Sequence, residues 1–480
     1  MLIVILICIL CGVWAWSERK TNKNEPPAFP GALPLIGHAH LLIGDNLWNF
    51  VKQLSYESLK AGGVISASLG PKTVYVVTDP DDLLTVSNTC LQKDGFYDFG
   101  KPWFGEGLVT ATLSIWKVHR RLLNPAFSKV VLDSFVEVFN KQSRRLVKDL
   151  EEEIGKGEFD HLVYTRHNAL ETICLTALGV DFTDKNVLNS QYVNAAEQMF
   201  NLFIERFKKV WLHNNFIYSW SALKKKQDNY LKTLHNLSTT VMAYHFKNHD
   251  FCKLILQIDF SFTGPNFKPF MDLLLELSIE KGAFNDREIR EHVDTMIVSG
   301  HDTSAGVLMY MILFLLNNVF GDDDRDVTKH DLTQLFYLEA VLKETIRLYP
   351  IVPVAIRYLD KDVKLRNCTL TKGRNCMMLI YGVHRHPMWG PDVEEFKPER
   401  WLDPLTLPEC PTAFAGFSVG RRICIGKSYA YMSMKTTLAH LFRHYKVKGD
   451  HTKLKAKIDI MLRPVSGYYI SIERRKKLIY

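Results

Sequence analysis

Outside the apolar N-terminal run, where Cys8 and Cys11 are so spaced, no Cys-x-x-Cys pair occurs in the 480 residues, and the nine cysteines are scattered and odd in number. That spacing argues against a disulfide framework and against a zinc ribbon, and fits a reducing compartment with mostly buried, inert thiols. The chain has no internal repeats and no low-complexity tract, so a solenoid or a long disordered tail is excluded. Charge of one sign is not strongly in excess: 60 Lys and Arg against 52 Asp and Glu leave +8. This mild basicity suits an acidic protein partner or an anionic membrane surface, and it is far from a nucleic-acid-binding composition. No clear linker follows residue 40, so one large domain is expected rather than several.

What is present begins with an unbroken apolar run, Met1 to Trp16, followed by Arg19, Lys20 and Lys23 and then by Pro26, Pro27, Pro30 and Pro34. A secretory signal carries its basic residues before the apolar run. Here they come after it, which predicts an uncleaved anchor over 1–16 with its basic side in the cytoplasm. Residues 17–40 read as a basic, proline-rich linker, because proline breaks a helix interior. Two β-like runs around Gly70-Pro71 predict a hairpin within Val64 to Val77. Helical periodicity dominates from about 115 to 320, strands and turns return over 363–380, and a long helix is expected over Lys427 to Tyr445. The catalytic body is therefore 41–480, mainly α with a small β region. The aromatic and basic stretch Phe200 to Phe251 reads as two packed helices with solvated basic faces, or as a substrate-access lid resting on a membrane.

One cysteine stands apart. Residues 417–426 read Phe-Ser-Val-Gly-Arg-Arg-Ile-Cys-Ile-Gly. Cys424 precedes a helix N-terminus, with Arg421 and Arg422 close by, and both features favour the thiolate, the metal-binding form. Gly420 and Gly426 let backbone N–H groups approach the sulfur. A lone thiolate cannot form a structural zinc site, but it can be the single axial ligand of a haem. A buried structural cysteine is the alternative.

The pattern Phe417, Gly420, Arg422, Cys424, Gly426 resembles the haem-binding signature of the cytochrome P-450 family. Other segments match that resemblance in order. Glu344 and Arg347, at i and i+3, would be a surface ion pair in isolation. The resemblance implies an internal clamp completed by Arg400. Ser299-Gly300-His301-Asp302-Thr303-Ser304 interrupts an apolar helix with groups that are costly to bury. It reads as a polar kink or as a proton relay, and the family's oxygen-activation motif is similar. Thr303 would hold water or dioxygen by its hydroxyl, and Asp302 would help deliver protons. Trp116 and Arg120 match the family's W-x-x-x-R. The resemblance implies that both, with Arg357 and Arg422, contact haem propionates, where a guanidinium fork matches a carboxylate. His440 and His444 share a helix face without the adjacent Glu of a zinc protease, so a solvated face is expected. His384 is expected to be structural.

The resemblance implies haem b, and a monooxygenase that hydroxylates or epoxidises an apolar substrate with electrons from NADPH through a flavoprotein reductase; cytochrome b5 is a second candidate donor. Lys117, Arg120, Arg121, Lys129, Arg421, Lys427 and Lys435 are the basic residues such a partner would meet. The nearest likeness is to the microsomal branch with fatty-acid ω-hydroxylases and arthropod enzymes, which places the protein in the endoplasmic reticulum membrane with its catalytic domain facing the cytoplasm. A peroxide isomerase or dehydratase of the same fold, independent of a reductase, is the alternative. Two departures stand out. Ser299 replaces the Glu that can esterify haem in the ω-hydroxylases. The segment between Thr303 and Glu344 is also short by roughly 12 to 15 residues, three to four helical turns, which leaves an inactive variant as a further reading.

Overall fold

The run Val64 to Val77 forms the expected hairpin. In the computed structural model, Val64–Leu69 (β1) and Lys72–Val77 (β2) pair antiparallel, Val64 opposite Val77 and Leu69 opposite Lys72. Gly70 takes φ +60° at the turn, a left-handed conformation that glycine adopts at little cost. Val354–Tyr358 (β3) and Asn375–Leu379 (β4) complete the sheet in the order β1-β2-β4-β3. Strand β4 runs parallel to β2 and antiparallel to β3. The structure describes residues 1–18, 24–42, 47–70, 72–181, 186–258, 269–314 and 325–475. Arg19, Lys20 and Lys23 of the linker, and part of the shortened segment after Thr303, lie outside them.

The chain divides into two compact units. The first comprises Met1–Gly95, Ile346–Cys424 and Ala456–Leu462; the second comprises Phe96–Thr345, Ile425–Lys455 and Arg463–Tyr480. The sheet belongs to the first unit. Alternation along its strands directs Tyr75, Val77, Cys376 and Met378 into one apolar cluster with Leu83, Val86 and Cys90. Each such side chain, fully buried, contributes roughly 1.5–3 kcal/mol. Burial pushes the Cys90 thiol up to about 11, and holds Cys174 and Cys376 still higher. These are the inert thiols the composition implies.

The second unit is mainly helical, with one two-stranded sheet, Tyr445–Gly449 against Ile470–Arg474. Its central helix, Asp286–Phe314, is unbroken and buried along most of its length. The Ser299–Ser304 insertion therefore does not end it. Gly300 has a packing role: a Cβ there would fall 2.6 Å from Ile173 Cδ1 on the neighbouring helix His161–Leu178. Asp286–Phe314 is the one helix among the described residues long and apolar enough to cross a membrane, but most of it is buried in its own unit, as in a soluble core. The N-terminal run is a helix, Leu2–Glu18, that leaves Ile3, Leu6 and Ile9 exposed.

The helix Lys427–His444 packs along Val136–Leu150. Two expectations fail on it. His440 is fully buried, not on a solvated face: its Nε2 donates to Asn140 Oδ1 at 2.7 Å. Lys435 is not a surface cation: its Nζ is buried and donates to the Leu332 carbonyl at 2.7 Å and to Glu339 at 2.8 Å. From Ser433 to Phe442 every residue of this helix is buried, so its polar side chains find partners inside the protein rather than water.

Candidate active site

The loop 417–426 is folded back on itself by its own backbone. Ser418 N–H donates to the Ala415 carbonyl at 2.8 Å, Ile423 N–H to Gly420 at 3.1 Å and Cys424 N–H to Phe417 at 3.0 Å. Ser418 and Gly420 have φ of 63° and 71°, so the chain passes twice through the left-handed region. For the serine this costs roughly 1–2 kcal/mol, strain of the kind that gathers at functional loops. At Gly420 a Cβ would also lie 2.8 Å from Asn88 Oδ1 and 2.9 Å from Ser87 Cβ. The turn delivers Cys424 to an exposed position, just before Gly426 opens the helix Lys427–His444. Exposure removes the alternative of a buried structural cysteine, and separates Cys424 from Cys90, Cys174 and Cys376.

A buried scaffold stands behind this loop. His384 Nδ1 donates to the Arg347 carbonyl at 3.0 Å, and its Nε2 accepts the Ala415 N–H at 3.0 Å. Arg347 donates to the carbonyls of His384 (3.1 Å), Val393 (2.6 Å) and Glu395 (3.0 Å). Arg400 donates to the carbonyls of Trp389 (3.2 Å) and Asp392 (3.1 Å) and to Asp392 Oδ1 (3.3 Å). Both guanidiniums therefore converge on segment 384–395, where they satisfy backbone acceptors that no strand or helix would. Glu344 sits on the same helix as Arg347, Phe336–Leu348, and is fully buried. These are not surface ion pairs.

The same unit gathers cations. Arg357, on β3, is buried; one Nη donates to the neighbouring Ile356 carbonyl at 3.0 Å, and its Nε has no hydrogen-bond partner among the described residues. Arg422 is buried as well. Lys93 feels both: burial, then the charges of Arg357 and Arg422, hold its amine well below the ordinary lysine range. Two buried guanidiniums, with an amine beside them that resists protonation, would be offset by anions brought to this unit. Lys93 was not legible in the sequence, because no motif surrounds it. A cofactor with one soft-ligand metal position and two carboxylate arms fits this set of sulfur and cations. Among the described residues, no group of three His, Cys, Asp or Glu side chains could hold a bare metal ion.

The second unit holds the other expected residues. Trp116 is buried and Arg120 half-buried on the helix Leu113–Leu123, with Arg120 Nε donating to Asn124 Oδ1 at 2.9 Å. On the central helix, Asp302 is fully enclosed and receives both Nη groups of Arg463, one at 3.1 Å. Arg166, 3.9 Å away, links Asp302 to Glu197. Burial alone would raise the Asp302 carboxyl, but Arg463, His301 and Arg166 outweigh it and hold it below the usual range. It is a carboxylate at neutral pH. The Thr303 hydroxyl donates to the Ser299 carbonyl at 2.6 Å. Arg463 and Arg166 carry no motif, and only the fold reveals them.

Comparison with known proteins agrees with this geometry. The family model described as cytochrome P-450 matches residues 26–471. Cytochrome P-450 4V2 of Mus musculus is 31% identical over 98% of this chain and 94% of its own length. Cytochrome P-450 4c3 of Drosophila melanogaster is 29% identical over 95% of this chain and 91% of its own. Cytochrome P-450 4c21 of Blattella germanica is 27% identical, with 98% of each chain covered.

Proposed function

Because this chain belongs to the cytochrome P-450 family of haem-thiolate monooxygenases, we propose that Cys424 ligates the iron of haem b and that NADPH, through a flavoprotein reductase, drives insertion of one oxygen atom of O2 into an apolar substrate. The observation that carries this reading is an exposed thiol in the same unit as two buried arginines, Arg357 and Arg422, whose charges both reach Lys93. The bound cofactor supplies dioxygen activation and oxygen-atom transfer.

The chain's own residues do the rest. Arg357 and Arg422, with Lys93 near them in charge, would neutralise the haem propionates; the same role is proposed for Trp116 and Arg120 from their W-x-x-x-R pattern. Phe417 and Gly426 flank the sulfur. Arg347 and Arg400 hold the backbone behind it, and Glu344 completes that clamp. Asp302, kept ionised by Arg463, passes protons rather than storing one. The Thr303 hydroxyl leaves the Ser299 carbonyl by rotation and positions a water or dioxygen. Substrates are apolar molecules: a fatty acid, terpenoid, steroid or xenobiotic.

Membrane attachment in the endoplasmic reticulum rests on the exposed apolar helix Leu2–Glu18 and its proline-rich continuation. It rests also on Trp211, Phe216 and Trp220, exposed between the helices Asn186–Lys208 and Ala222–Ile258. Such aromatics suit the headgroup layer. Exposed Lys117, Arg121, Lys129, Arg421 and Lys427 remain to steer an acidic reductase; buried Lys435 is not among them.

The test is the carbon-monoxide difference spectrum of the reduced full-length protein. A thiolate-type band is expected, and it is lost in Cys424→Ala. An imidazole-type band, or no band, overturns the assignment. Oxygen uptake that needs both NADPH and reductase, followed over a panel of the four substrate classes, then tests the reaction.

A further inference from the structure

The central helix Asp286–Phe314 grips the helix Leu113–Leu123, and the chain leading into it, at two adjacent residues. Glu291 and His292 are both buried. Neighbours on an α-helix point about 100° apart, so each holds a different part of that segment. His292 Nε2 lies 2.9 Å from Nδ1 of His119, a buried residue placed between Trp116 and Arg120. The Phe284 ring meets both imidazoles edge to face, 4.8 Å from the His119 ring and 5.3 Å from the His292 ring. Burial lowers both histidines, His292 to about 3. Both are neutral at pH 7, so one ring donates its N–H to the bare nitrogen of the other.

Glu291 holds the approach to the helix. Its Oε2 accepts the Glu106 N–H at 2.8 Å, and its Oε1 accepts Arg287 Nε–H at 2.8 Å. The Glu106 carboxylate in turn accepts the N–H of Thr112, the N-cap of Leu113–Leu123, at 2.9 Å. Gly105 and Gly107 permit this: a Cβ on the first would overlap the Glu291 carboxyl, and one on the second would lie 2.7 Å from the Glu291 carbonyl oxygen. The helix itself has few apolar anchors. Trp116, His119 and Leu123 are its buried side chains, and burial of apolar surface is non-directional. Hydrogen bonds have narrow preferred lengths and angles. The His119–His292 bond therefore fixes the rotation of the helix about its axis, and Glu106 fixes its N-terminal end.

We propose that His119 and His292, assisted at the N-terminal end by Glu106 and Glu291, are positioning residues for the haem propionates: they set where Trp116 and Arg120 stand by pinning the helix Leu113–Leu123 to the helix that carries Asp302 and Thr303. All four act through Trp116 and Arg120, so the inference rests on the propionate role proposed above. A direct contact keeps its geometry only when packing and further hydrogen bonds lock it. Of the two ties the histidine pair is the closer, His119 being one residue from Arg120 and three from Trp116.

Resonance Raman spectra of the full-length holoenzyme report on the propionates without turnover. In His292→Leu the propionate bands are expected to shift and haem transfer to excess apomyoglobin to speed up about tenfold, with the thiolate spectrum unchanged. His292→Gln, whose amide can donate or accept near the place of Nε2, is expected to restore both. The double variant His119→Leu/His292→Leu separates position from stability. It removes both partners of the bond together, which costs less than stranding one. Thermal stability is therefore expected to return toward wild type while the bands stay shifted and haem still leaves faster. Glu106→Ala is expected to move the same bands by a smaller amount, and bands unmoved there remove the N-terminal tie. Wild-type bands and wild-type transfer in the double variant overturn the proposal, because the pair is then a matter of stability alone. A wild-type protein without the thiolate spectrum overturns the haem reading instead.

Discussion

The backbone N–H of Ala415 donates to Nε2 of His384 at 3.0 Å. The other ring nitrogen of His384 is taken by the Arg347 carbonyl, so one imidazole ties the helix Phe336–Leu348 to the loop that ends at Cys424. His384→Ala leaves the Ala415 N–H buried and unpaired, and the Arg347 carbonyl with only the long contact from Arg385 Nη1 at 3.5 Å. An unpaired buried donor costs roughly 1–3 kcal/mol, and a loss of that size is expected in denaturant unfolding, together with a lower haem content. His384→Gln carries both a donor and an acceptor and is expected to recover part of each. A His384→Ala protein as stable as wild type would remove the tie.

The same histidine makes the protein acid-sensitive. Burial lowers His384 and His292 to about 3, and His161 and His440 to about 4. In the unfolded chain each titrates near 6.5. Between those values the unfolded state binds more protons than the folded one, so stability is complete above about pH 6.5 and falls as the pH drops. Each histidine still neutral inside contributes a slope of about 1.4 kcal/mol per pH unit. Urea midpoints at pH 7 and pH 5 are expected to differ strongly, and by less in His384→Gln. Equal slopes in the two proteins would contradict the burial argument for His384.

What the sequence made legible follows from how local each feature is. The hairpin at Gly70, the loop 417–426 and the helix after it depend on neighbours in the chain, and they are as read. His440 and Lys435 were misread because helical periodicity shows which residues share a face, not which face is covered. Asn140 and Glu339, their partners, lie far away in sequence. Lys93 was invisible for the same reason: its meaning comes from Arg357 and Arg422, more than 260 positions downstream. Arg463 likewise gains a role only by reaching Asp302.

Gly420 is where the cysteine loop is least tolerant. Gly420→Ala adds a left-handed strain of roughly 1–2 kcal/mol and presses a Cβ against Ser87 and Asn88. Gly155 is a control, with φ +78° and nothing within 4 Å of its Cβ. Gly155→Ala is expected to cost the backbone strain alone. Gly420→Ala is expected to cost more and to release haem; equal thermal shifts in the two variants would show that the contact does not matter.

Lys93 tests the anion site separately from the sulfur. Its amine, disfavoured as a cation beside Arg357 and Arg422, becomes favourable as a cation once carboxylates arrive. Lys93→Met is expected to speed haem transfer to excess apomyoglobin about tenfold, the loss of roughly 1.4 kcal/mol from a charge-assisted contact, without changing the thiolate spectrum. Lys93→Arg is expected to hold haem nearly as well. Transfer as slow in Lys93→Met as in wild type would mean that the two arginines suffice.

Thr303 separates chemistry from structure most cleanly. Its hydroxyl donates back to the Ser299 carbonyl, one turn earlier, a bond that adds little to a helix already complete. Alanine has the higher helix propensity, by a few tenths of a kcal/mol, so Thr303→Ala is expected to fold, bind haem and show the thiolate spectrum as wild type does. It lacks only the hydroxyl, the group able to donate and accept that the proposed relay needs. NADPH oxidation is therefore expected to continue while product per NADPH falls several-fold and peroxide rises, and Thr303→Ser is expected to restore the ratio. If Thr303→Ala couples as well as wild type, the hydroxyl is a helix ornament and the proton chemistry belongs to Asp302 without it.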